Sequence, residues 1–439
     1  MARFDLTPFE LEITGMTHDG KGVARRPDGK AVFVTGSLPG ERVMVQQTGK
    51  NRNFDEAKCV EVLQASPDRV EPRCPHFGLC SGCTLQHLRP DAQILAKQEV
   101  LFDNLRRIGH VQEQTRLPPL TADLWNYRRK GRFSVRRVEK KDKTLVGFRE
   151  MQDSRFVAEI HTCDTVLPSI SALIAPLQQL IDGLQGRRDI PQVEFCAGDR
   201  ALALTVRHLQ PLSGADRQAW IDFAKTHSVS IFLQPAGPTS VNALYPEHTD
   251  LSFDLPAYNV SLKFKPLDFI QVNARLNEKM IDRALELLDP QPEDRVLDLF
   301  CGLGNFTLPL ATKVAEVVGV EGDAVLVEAG RANAAHNGLE NAKFHVANLA
   351  EDMRHHPWMK QRFNKLLLDP PRSGADFCLT QLDLSAFDRI VYVSCHPASL
   401  ARDAGYLVNE KGWKLKTAGV MDMFPHTGHV ESIALFERS

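Results

Sequence analysis

The chain has 439 residues, of which 43% are apolar and 25% are charged, and its formal net charge is only −2. This length predicts two or three domains, and the composition is typical of a soluble globular protein. The balanced charge excludes a globally cationic, histone-like binder, and no apolar run approaches the roughly 20 residues that a membrane span needs.

The start of the chain and its cysteine count both bear on its compartment. The first residues show no basic stretch followed by an apolar one, so the sequence predicts no secretion signal. Nine cysteines, an odd number in a chain without an export signal, argue against a disulfide framework. We therefore expect a cytoplasmic protein that uses thiols for metal binding or catalysis.

Residues 1–68 predict a small β-barrel. Four apolar or alternating stretches are separated by the turn pairs Asp-Gly and Pro-Gly, and they span residues 9–13, 31–34, 42–45 and 59–62. Several short strands at this spacing are typical of a closed barrel of the OB kind. The basic residues of this region are matched by acidic ones, so an RNA-binding face and an ordinary solvated surface both remain open.

Three cysteines follow the barrel at close spacing. Cys74, Cys80 and Cys83 form a C-x5-C-x2-C pattern, and Cys163 is a plausible distant fourth ligand. Thiolate clusters of this kind bind zinc or an iron–sulfur cluster, and spacing alone does not separate the two. Reduced thiols without a metal are the third possibility.

Residues 91–109 predict an amphipathic helix. Apolar residues recur at helical spacing between Ile94 and Ile108. Asp91 is a candidate N-cap, and Gly109 is a candidate stop.

Residues 127–155 are the most strongly basic stretch of the chain. They contain eleven lysines and arginines against four acidic residues, interleaved with aromatic side chains such as Tyr127, Phe133 and Phe148. Such a stripe can neutralise phosphates while its aromatic rings stack on unpaired bases. The density of charge favours nucleic-acid binding, and the alternative is a strand pair whose charges are merely solvated.

From about Glu293 the chain alternates strands and helices, which predicts a doubly wound parallel sheet. The first buried strand carries Asp298 and leads into a loop with Gly302 and Gly304, where the backbone can approach a ligand closely. The next strand ends in Glu321, which is placed to accept hydrogen bonds from ribose hydroxyls. The loop lacks the third glycine of a dinucleotide site, so we expect S-adenosylmethionine rather than NAD.

Two further predicted strands end at the same edge of the sheet. The first is followed by Asn348, whose amide is a candidate contact for an adenine edge. The second delivers Asp369, which is followed by two prolines. Consecutive prolines stiffen a loop and expose its carbonyls, which suits the binding of a flat base.

The last strands carry a cysteine and a glutamate suited to uracil chemistry. Cys395 ends a strand at the predicted ligand edge, and Glu431 follows His426 and His429 near the C-terminus. C5 of uracil is a poor nucleophile, but addition of a thiolate to C6 makes it an enolate that attacks a methyl sulfonium. A base must then remove the C5 proton, and a shielded carboxylate suits that step, so we favour Glu431 over the two histidines.

Five motifs, in order along the chain, resemble the signatures of the RNA uracil-C5 methyltransferases. They are Phe269-Ile-Gln-Val-Asn273, Asp298-Leu-Phe-Cys-Gly-Leu-Gly-Asn305, Asp369-Pro-Pro-Arg372, Ser394-Cys-His-Pro397 and His429-Val-Glu-Ser432. The resemblance implies a class I, Rossmann-like methyltransferase domain in which Cys395 is the nucleophile and Glu431 is the base. It also implies that six residues contact the methyl donor: Gln271, Phe300, Asn305, Glu321, Asn348 and Asp369.

The resemblance extends to the upstream half of the chain. Ribosomal members of the family carry a [4Fe–4S] cluster on matching cysteines, which implies that Cys74, Cys80, Cys83 and Cys163 are cluster ligands. The segment before Cys74 resembles the RNA-binding TRAM barrel. Together these features indicate a uridine in 23S rRNA as the substrate, without a membrane or an obligate protein partner. We expect the cluster to fold the central domain and to help seat RNA.

The implied organisation has three domains. A TRAM-like OB barrel spans residues 1–68, and an α+β central RNA-binding domain with the cluster spans 69–90 and 125–262. The methyltransferase domain spans 91–124 and 263–439, so the helix predicted after residue 90 docks on the catalytic domain.

One position departs from the family pattern. The family has asparagine after the catalytic cysteine, where this chain has His396, whose imidazole retains hydrogen-bonding capacity.

Two other functions remain open from the residues. An amino-group methyltransferase acting on adenine or guanine would use the Asp369-Pro-Pro loop to hold the exocyclic nitrogen and would need no nucleophile. A non-catalytic iron–sulfur protein that binds RNA or senses redox state could keep a degenerate methyltransferase fold.

Overall fold

The computed structural model describes residues 6–17 and 19–438, and within these ranges the strands form four sheets. The N-terminal sheet has the strand order β1-β5-β6-β4-β3-β2. Its strands are β1 (Phe9–Glu12), β2 (Gly15–Met16), β3 (Gly22–Arg25), β4 (Ala31–Thr35), β5 (Arg42–Lys50) and β6 (Phe54–Gln64). Alternate residues such as Val32, Val34, Val43 and Val45 are buried, as a barrel interior requires. All four predicted strands are present.

A long helix follows the barrel. Helix α1 (Pro90–Asn104) continues into a π-helical turn (Leu105–Gly109), and a short strand β7 (Thr115–Arg116) comes next. The predicted N-cap is wrong: Arg89 occupies that position without a side-chain cap, Pro90 opens the helix, and Asp91 lies in the first turn. The helix ends at His110, which adopts the left-handed conformation.

Gly109 is the last helical residue, where the sequence predicted the stop, and it also has a packing role. A Cβ atom at this position would lie 2.4 Å from the carbonyl oxygen of Ala401. The end of the helix can therefore approach its neighbour only because residue 109 lacks a side chain.

The central domain is a mixed six-stranded sheet with helices on one side. Its strand order is β13-β12-β11-β10-β8-β9. The elements are β8 (Lys130–Val138), β9 (Lys143–Gly147), α2 (Pro168–Ser171), α3 (Ile174–Gly183), β10 (Gln192–Ala197), β11 (Leu202–Arg207), α4 (Gly214–His227), β12 (Ser230–Gln234) and β13 (Asn242–Tyr245). Apolar residues of the helices, including Leu177, Ile181 and Trp220, pack with sheet residues such as Phe195 and Val206.

A two-stranded ribbon, β14 (Ser252–Leu255) with β15 (Val260–Lys263), follows the central sheet. The division of the chain at residue 262 assigned it to the central domain. Its buried side chains lie in one cluster with the catalytic domain and with Cys196 and Ala203 of the central sheet, and the amide of Asn333 bonds the backbone of Lys263. The amide of Asp199 also donates to the Ser252 carbonyl at 2.8 Å, so the ribbon contacts both domains.

The catalytic domain is a doubly wound sheet, as predicted. Its elements are α5 (Ala274–Leu288), β16 (Arg295–Leu299), α6 (Thr307–Ala311), β17 (Glu316–Glu321), α7 (Ala324–His336), β18 (Ala342–Val346), β19 (Lys365–Leu368), α8 (Asp376–Gln381), β20 (Arg389–Ser394), α9 (Pro397–Gly405), β21 (Trp413–Met421) and β22 (Glu431–Arg438). The strand order is β18-β17-β16-β19-β20-β22-β21-β7. Strands β16 to β20 are parallel, whereas β22 is antiparallel to both β20 and β21.

Short irregular helices complete the described chain. A second π-helical turn (Tyr406–Glu410) extends α9, and 3-10 turns cover Glu139–Lys141, Pro238–Ser240, Pro256–Tyr258, Pro357–Lys360 and Leu384–Ala386.

Helix α1 packs on α9 and β21, and its residues Leu101 and Phe102 belong to the core on that side of the catalytic sheet. Strand β7 extends the same sheet beside β21. Among the helices of the described ranges, none has the length and apolar character needed to cross a bilayer.

Candidate active site

The predicted donor-binding residues follow strands that end at one edge of the catalytic sheet. Phe300 comes directly after β16, Glu321 ends β17, and Asp369 comes directly after β19. These strands are parallel neighbours, and the order reverses between β17 and β19 around β16. Ligands of doubly wound sheets bind outside the carboxyl ends at such a reversal. The fold therefore creates one crevice there.

The glycine loop after β16 has the backbone geometry of a ligand cradle. Phe300, Gly302 and Gly304 all have positive φ angles, of 64°, 56° and 100°. For a bulky residue such as Phe300 this conformation costs about 1–3 kcal/mol, and strain of this kind gathers at functional sites. The amide of Gly302 donates to the Glu321 carboxylate over 3.2 Å, which ties the loop to the next strand.

Asp298 supplies a buried acceptor without a partner. Its side chain is 0% exposed, and one carboxylate oxygen accepts a hydrogen bond from Thr307 Oγ1 at 2.6 Å. The other oxygen, Oδ1, has no hydrogen-bond partner. Burial, reinforced by the charges of Asp369 and Glu321, raises the pKa of Asp298 to about 8. An acceptor of this kind suits a ligand with a positive charge or several donors, as S-adenosylmethionine has.

Two other predicted donor contacts are engaged with protein groups. The Asn305 amide exchanges two hydrogen bonds with Asn277, at 2.9 and 3.0 Å. Asn348 is exposed and donates to Glu351 Oε1 at 2.7 Å. Asn277 was missed by sequence analysis, although a buried asparagine on the apolar face of α5 was a usable signal.

Gln271 lies just before α5 and is partly buried. Its backbone carbonyl accepts a hydrogen bond from Arg129 Nε at 2.9 Å. The segment that carries this predicted donor contact is therefore attached to the central domain.

Cys395 and Glu431 meet across two antiparallel strands. Ser394, at the end of β20, pairs with Ser432, so Cys395 and Glu431 occupy the next opposed positions. The Ser432 hydroxyl donates to the Ser394 carbonyl at 3.2 Å, which closes this end of the ladder. Two residues that lie 36 positions apart in sequence thus become neighbours.

Both groups hold their protons more tightly than usual. Burial raises the pKa of Cys395 to about 11, with added contributions from the negative charges of Glu431 and Asp369. Burial and Asp369 raise the pKa of Glu431 to about 8. The Arg372 guanidinium lowers the pKa of both Cys395 and Glu431, and the Lys97 ammonium lowers the pKa of Glu431. A cationic ligand beside these groups would act in the same direction as Arg372.

His396 acts as the N-cap of α9. Its Nδ1 accepts from the Ser399 amide at 3.3 Å, and its own amide donates to Ser394 Oγ at 3.1 Å. The imidazole therefore uses the hydrogen-bonding capacity expected for this position, and it fixes the backbone directly after Cys395.

A cleft of about 500 Å³ opens in front of Cys395. It is lined by the barrel, the cysteine segment, the central domain and the catalytic domain; the lining includes Asp19, Ser81, Gly82, Thr84, Arg128, Phe148, Arg372, His396 and His429. This volume is within the usual range for a small-molecule site and accommodates a nucleobase. Arg128, from the predicted basic stripe, also lies over the Phe424 ring at 5.5 Å.

Most other cations of the basic stripe have protein partners. Arg129 is buried, and Lys130 donates to the carbonyls of Pro266 and Asp268, both at 2.7 Å. The remaining ion pairs are Arg132 with Glu194, Arg137 with Asp142 and Asp182, Lys141 and Lys143 with Glu159, and Arg155 with Asp153. These pairs stabilise the central domain, and the stripe lines the cleft through Arg128 and Phe148.

The four cysteines upstream line one cavity. Cys74, Cys80, Cys83 and Cys163 are all free thiols, and they share this cavity with His76 and Phe148. Burial raises the pKa of Cys80 to about 11 and that of Cys83 to about 12, and Cys163 adds to each shift. Four ionised thiols would need a cation to be stable together in such a place. The donor set thus fits a thiolate-bound metal centre, although no three metal-binding side chains of the described residues are gathered as a single ion requires.

The loop between β21 and β22 is held from outside the catalytic domain. The amides of Thr84 and Leu85, just after Cys83, donate to the carbonyl of His426 at 2.9 and 3.0 Å. His426 is buried and stacks on Trp125 with ring centroids 3.8 Å apart. These contacts make His426 a structural residue.

The comparisons with known proteins agree with this architecture. A family model described as tRNA (uracil-5-)-methyltransferase matches residues 122–439, and a TRAM domain model matches residues 8–60. The chain is 65% identical over 438 residues to 23S rRNA (uracil(1939)-C(5))-methyltransferase RlmD of Xanthomonas campestris pv. campestris strain 8004, covering 99% of this chain and 98% of that relative. A protein of the same name from Stenotrophomonas maltophilia strain K279a is 64% identical and covers 100% of this chain and 99% of its own length.

The fold is also similar to a solved structure. The crystal structure of Pyrococcus abyssi tRNA (uracil-54, C5)-methyltransferase in complex with S-adenosyl-L-homocysteine aligns with a TM-score of 0.75. The identity is 22%, over 98% of this chain and 100% of that chain. The TRAM match and the shared fold confirm the predicted barrel and the predicted α/β methyltransferase fold.

Proposed function

The chain belongs to the tRNA (uracil-5-)-methyltransferase family and is an S-adenosylmethionine-dependent enzyme, and on that premise we propose that it methylates C5 of a uridine in 23S rRNA with Cys395 as nucleophile and Glu431 as base. The observation that carries the proposal is the pairing of β20 with β22, whose register opposes Glu431 to Cys395, the residue that lines the cleft. The rRNA substrate rests on the named function of the two relatives.

The proposed reaction has three covalent steps: addition, methyl transfer and elimination. The Cys395 thiolate adds to C6 of the flipped-out uracil. The resulting enolate uses C5 to attack the methyl carbon of the sulfonium donor, whose methyl–sulfur bond breaks so that S-adenosyl-L-homocysteine leaves. Glu431 then accepts the C5 proton. The electrons of that C–H bond reform the C5–C6 double bond, and the bond from C6 to sulfur breaks, so the thiolate returns.

The protonation states bear on when the nucleophile becomes active. The raised pKa of Cys395 means that the ligand-free site holds a neutral thiol. Arg372 already opposes that shift, and the positive charge of a bound donor adds to it. We therefore expect the thiolate to form after the donor has bound, which limits side reactions of a free nucleophile.

RNA carrying 5-fluorouridine tests the proposed nucleophile directly. Fluorine replaces the proton that Glu431 removes, so the methylated adduct cannot resolve and the enzyme should stay joined to RNA through Cys395. The adduct is measured on a denaturing gel, with Cys395→Ala as the variant that cannot form it. Absence of an adduct in the unmodified enzyme, with RNA and donor both bound, would reject the mechanism; methylation by Cys395→Ala would instead support the amino-group alternative.

The donor crevice supports a set of contacts with the methyl donor. In this proposal Phe300, Glu321 and Asp369, which end or directly follow neighbouring parallel strands, contact the donor together with Gln271, Asn305 and Asn348. Asn305 keeps free hydrogen-bonding capacity beyond its pair with Asn277, because an amide has two donor hydrogens and two acceptor lone pairs. Each contact is tested by replacing the residue and titrating the variant with S-adenosyl-L-homocysteine in a calorimeter.

We propose that the four-cysteine cavity holds a [4Fe–4S] cluster, as the resemblance to ribosomal members of the family implies. A four-iron cluster takes one thiolate at each iron, which suits four cysteines around a shared cavity. When bound, it would join the 74–83 segment to Cys163 of the central domain. Iron and sulfide analysis of anaerobically purified protein tests this part of the proposal.

The barrel and the central domain supply the RNA surface in this proposal. Asp19 of the barrel and Arg128 of the central domain line the same cleft as Cys395, so an RNA strand whose base enters the cleft passes both domains. We propose three domains. The barrel ends at residue 68, and the ribbon of β14 and β15 is grouped with the catalytic domain because its side chains pack there.

A further inference from the structure

Lys97 is a buried cation that the reaction described above does not use. It lies in α1, outside the family match at 122–439, and its side chain is 3% exposed. Lysine is among the residues that are least often buried, because its ammonium loses hydration. A buried lysine in a helix that docks on the catalytic sheet therefore requires a specific reason.

The ammonium of Lys97 is bonded to the loop that leads into Glu431. Nζ lies 2.6 Å from Asp422 Oδ1, whose side chain is 2% exposed, and it donates to the carbonyl of Phe424 at 3.0 Å. Met421, the residue before Asp422, is the ladder partner of Glu431. One ammonium thus fixes both the strand end beside Glu431 and the first turn of the loop.

Helix α1 is held by contacts on both sides of Lys97 along the helix. One turn before Lys97, the Gln93 side chain accepts from the His426 amide at 2.9 Å and approaches His426 Nδ1 at 3.2 Å. At its far end, the π-helical turn packs through Gly109 against Ala401 of α9, the helix that begins just after Cys395. The helix therefore connects the loop before the base with the helix after the nucleophile.

We propose that Lys97 is a positioning residue for Glu431: its ammonium holds the 422–430 loop so that the Glu431 carboxylate meets the C5 proton of the methylated ring. This inference rests on the proposed function. The charge of Lys97 also favours the ionised carboxylate, because it opposes the shift that burial and Asp369 impose on the pKa of Glu431. The other charged groups that act on Glu431 are Asp369 and Arg372.

The order of chemical steps separates a positioning role from a merely structural one. Glu431 acts only after the methyl group has been transferred, when it takes the C5 proton and sulfur leaves C6. A misplaced carboxylate therefore slows adduct resolution and leaves adduct formation unaffected. A role in stability alone would lower the active fraction and slow both steps together.

The test uses Lys97→Met, which keeps most of the side-chain volume, and Lys97→Met combined with Asp422→Asn, which leaves no buried charge unpaired. RNA with deuterium at C5 of the target uridine reports proton removal, and a denaturing gel reports the adduct on ordinary RNA. We expect about a 10- to 100-fold slower turnover, an increased deuterium isotope effect on turnover, and accumulated adduct.

Lys365→Met is the matched control. Lys365 is also a buried lysine of the catalytic domain, paired with Asp294 at 3.0 Å and bonded to the carbonyl of Leu288, but it lies at the opposite edge of the sheet. We expect its loss to reduce stability without changing the isotope effect or the amount of adduct.

The outcomes distinguish this inference from the proposed function. Slower turnover of the Lys97 variants without a changed isotope effect or adduct, as for Lys365→Met, would overturn the positioning role. Failure of both Lys97 variants to fold would assign the residue to stability alone and would equally overturn it. Failure of the unmodified enzyme to trap 5-fluorouridine RNA would instead reject the proposed mechanism itself.

Discussion

Two regions of this molecule hold partly buried thiols, and they differ in what surrounds the sulfur. Cys395 and Cys80 both have a pKa raised to about 11, and burial is the largest cause in each case. Cys395 ends a strand, faces a carboxylate on the neighbouring strand and opens onto a cleft of about 500 Å³. Cys80 lies in a loop and faces three other cysteines around a small cavity.

The difference shows that a raised pKa does not identify the function of a thiol. Burial penalises the thiolate in both regions, so the partners decide the role. A base and an open cleft suit a nucleophile that is ionised only when substrates are present. Several thiols around one cavity suit a metal centre that keeps them ionised permanently.

The largest loss of turnover is expected when the proposed base beside Cys395 is removed. We expect Glu431→Gln to lower turnover by about 10²- to 10⁴-fold while still forming the methylated adduct, because the glutamine cannot accept the C5 proton. Accumulation of enzyme–RNA adduct on ordinary uridine RNA is the measurement. Glu437→Gln, on the same strand and paired with Arg389, is the control. Undiminished turnover of Glu431→Gln would show that another group is the base.

The second test removes one thiol from the four-cysteine cavity and, as a control, one buried thiol that lies outside it. Cys83→Ser should abolish the near-visible absorption of the purified protein and lower its Tm by about 5 °C or more, because metal binding contributes to folding. Cys378→Ser, a buried core thiol outside the cavity, should leave the absorption unchanged. An unchanged absorption spectrum in Cys83→Ser would argue against a cluster.

Cys83→Ser also probes the link between the two regions. Thr84 and Leu85 bond the carbonyl of His426 in the loop that leads to Glu431. Loss of the proposed cluster should therefore reduce turnover as well as stability. If turnover per folded enzyme molecule is unchanged in Cys83→Ser, these backbone contacts hold without the cluster.

A third test concerns the charge that opposes both pKa shifts at the active site. Arg372→Gln should raise the pKa of Cys395 and of Glu431, because the guanidinium lowers each of them. Both groups act in their deprotonated forms, so the rise of kcat/KM with pH should move to higher pH. The loss of rate should be largest near neutral pH and should diminish as the pH increases. Arg372→Lys keeps the charge and should keep the profile; an unmoved profile in Arg372→Gln would contradict this electrostatic role.

The smallest expected effect concerns the cleft that joins the two regions. Arg128→Gln should weaken RNA binding and reduce the slope of log K against log salt by about 1, as expected for one lost phosphate contact. Arg132, which is paired with Glu194, provides the control, because Arg132→Gln should leave the slope unchanged. Equal slopes for both variants would remove Arg128 from the RNA surface.

Much of the site was predictable from local sequence patterns. The positions of Glu321, Asp369 and Cys395 at strand ends follow from buried strands that stop at a polar residue, because parallel strands deliver their carboxyl ends to one edge. The barrel was predictable for a similar reason, since alternation and turn residues act over a few positions.

One error is local, and the other concerns interactions between distant segments. Asp91 is a favourable N-cap by residue type, but the chain enters α1 through Arg89 and Pro90. The basic stripe predicts an open cationic surface, but acidic partners such as Glu194, Asp182 and Glu159 come from other segments.

The sequence by itself determined the order of strands and helices, the two chemically distinct groups of cysteines and the glutamate near the C-terminus, because each is encoded within a short window. Only the tertiary structure decided that Ser394 pairs with Ser432, and that Lys97 reaches a loop more than three hundred residues away. Those contacts depend on which apolar faces are buried together, and burial is a property of the whole chain rather than of any segment.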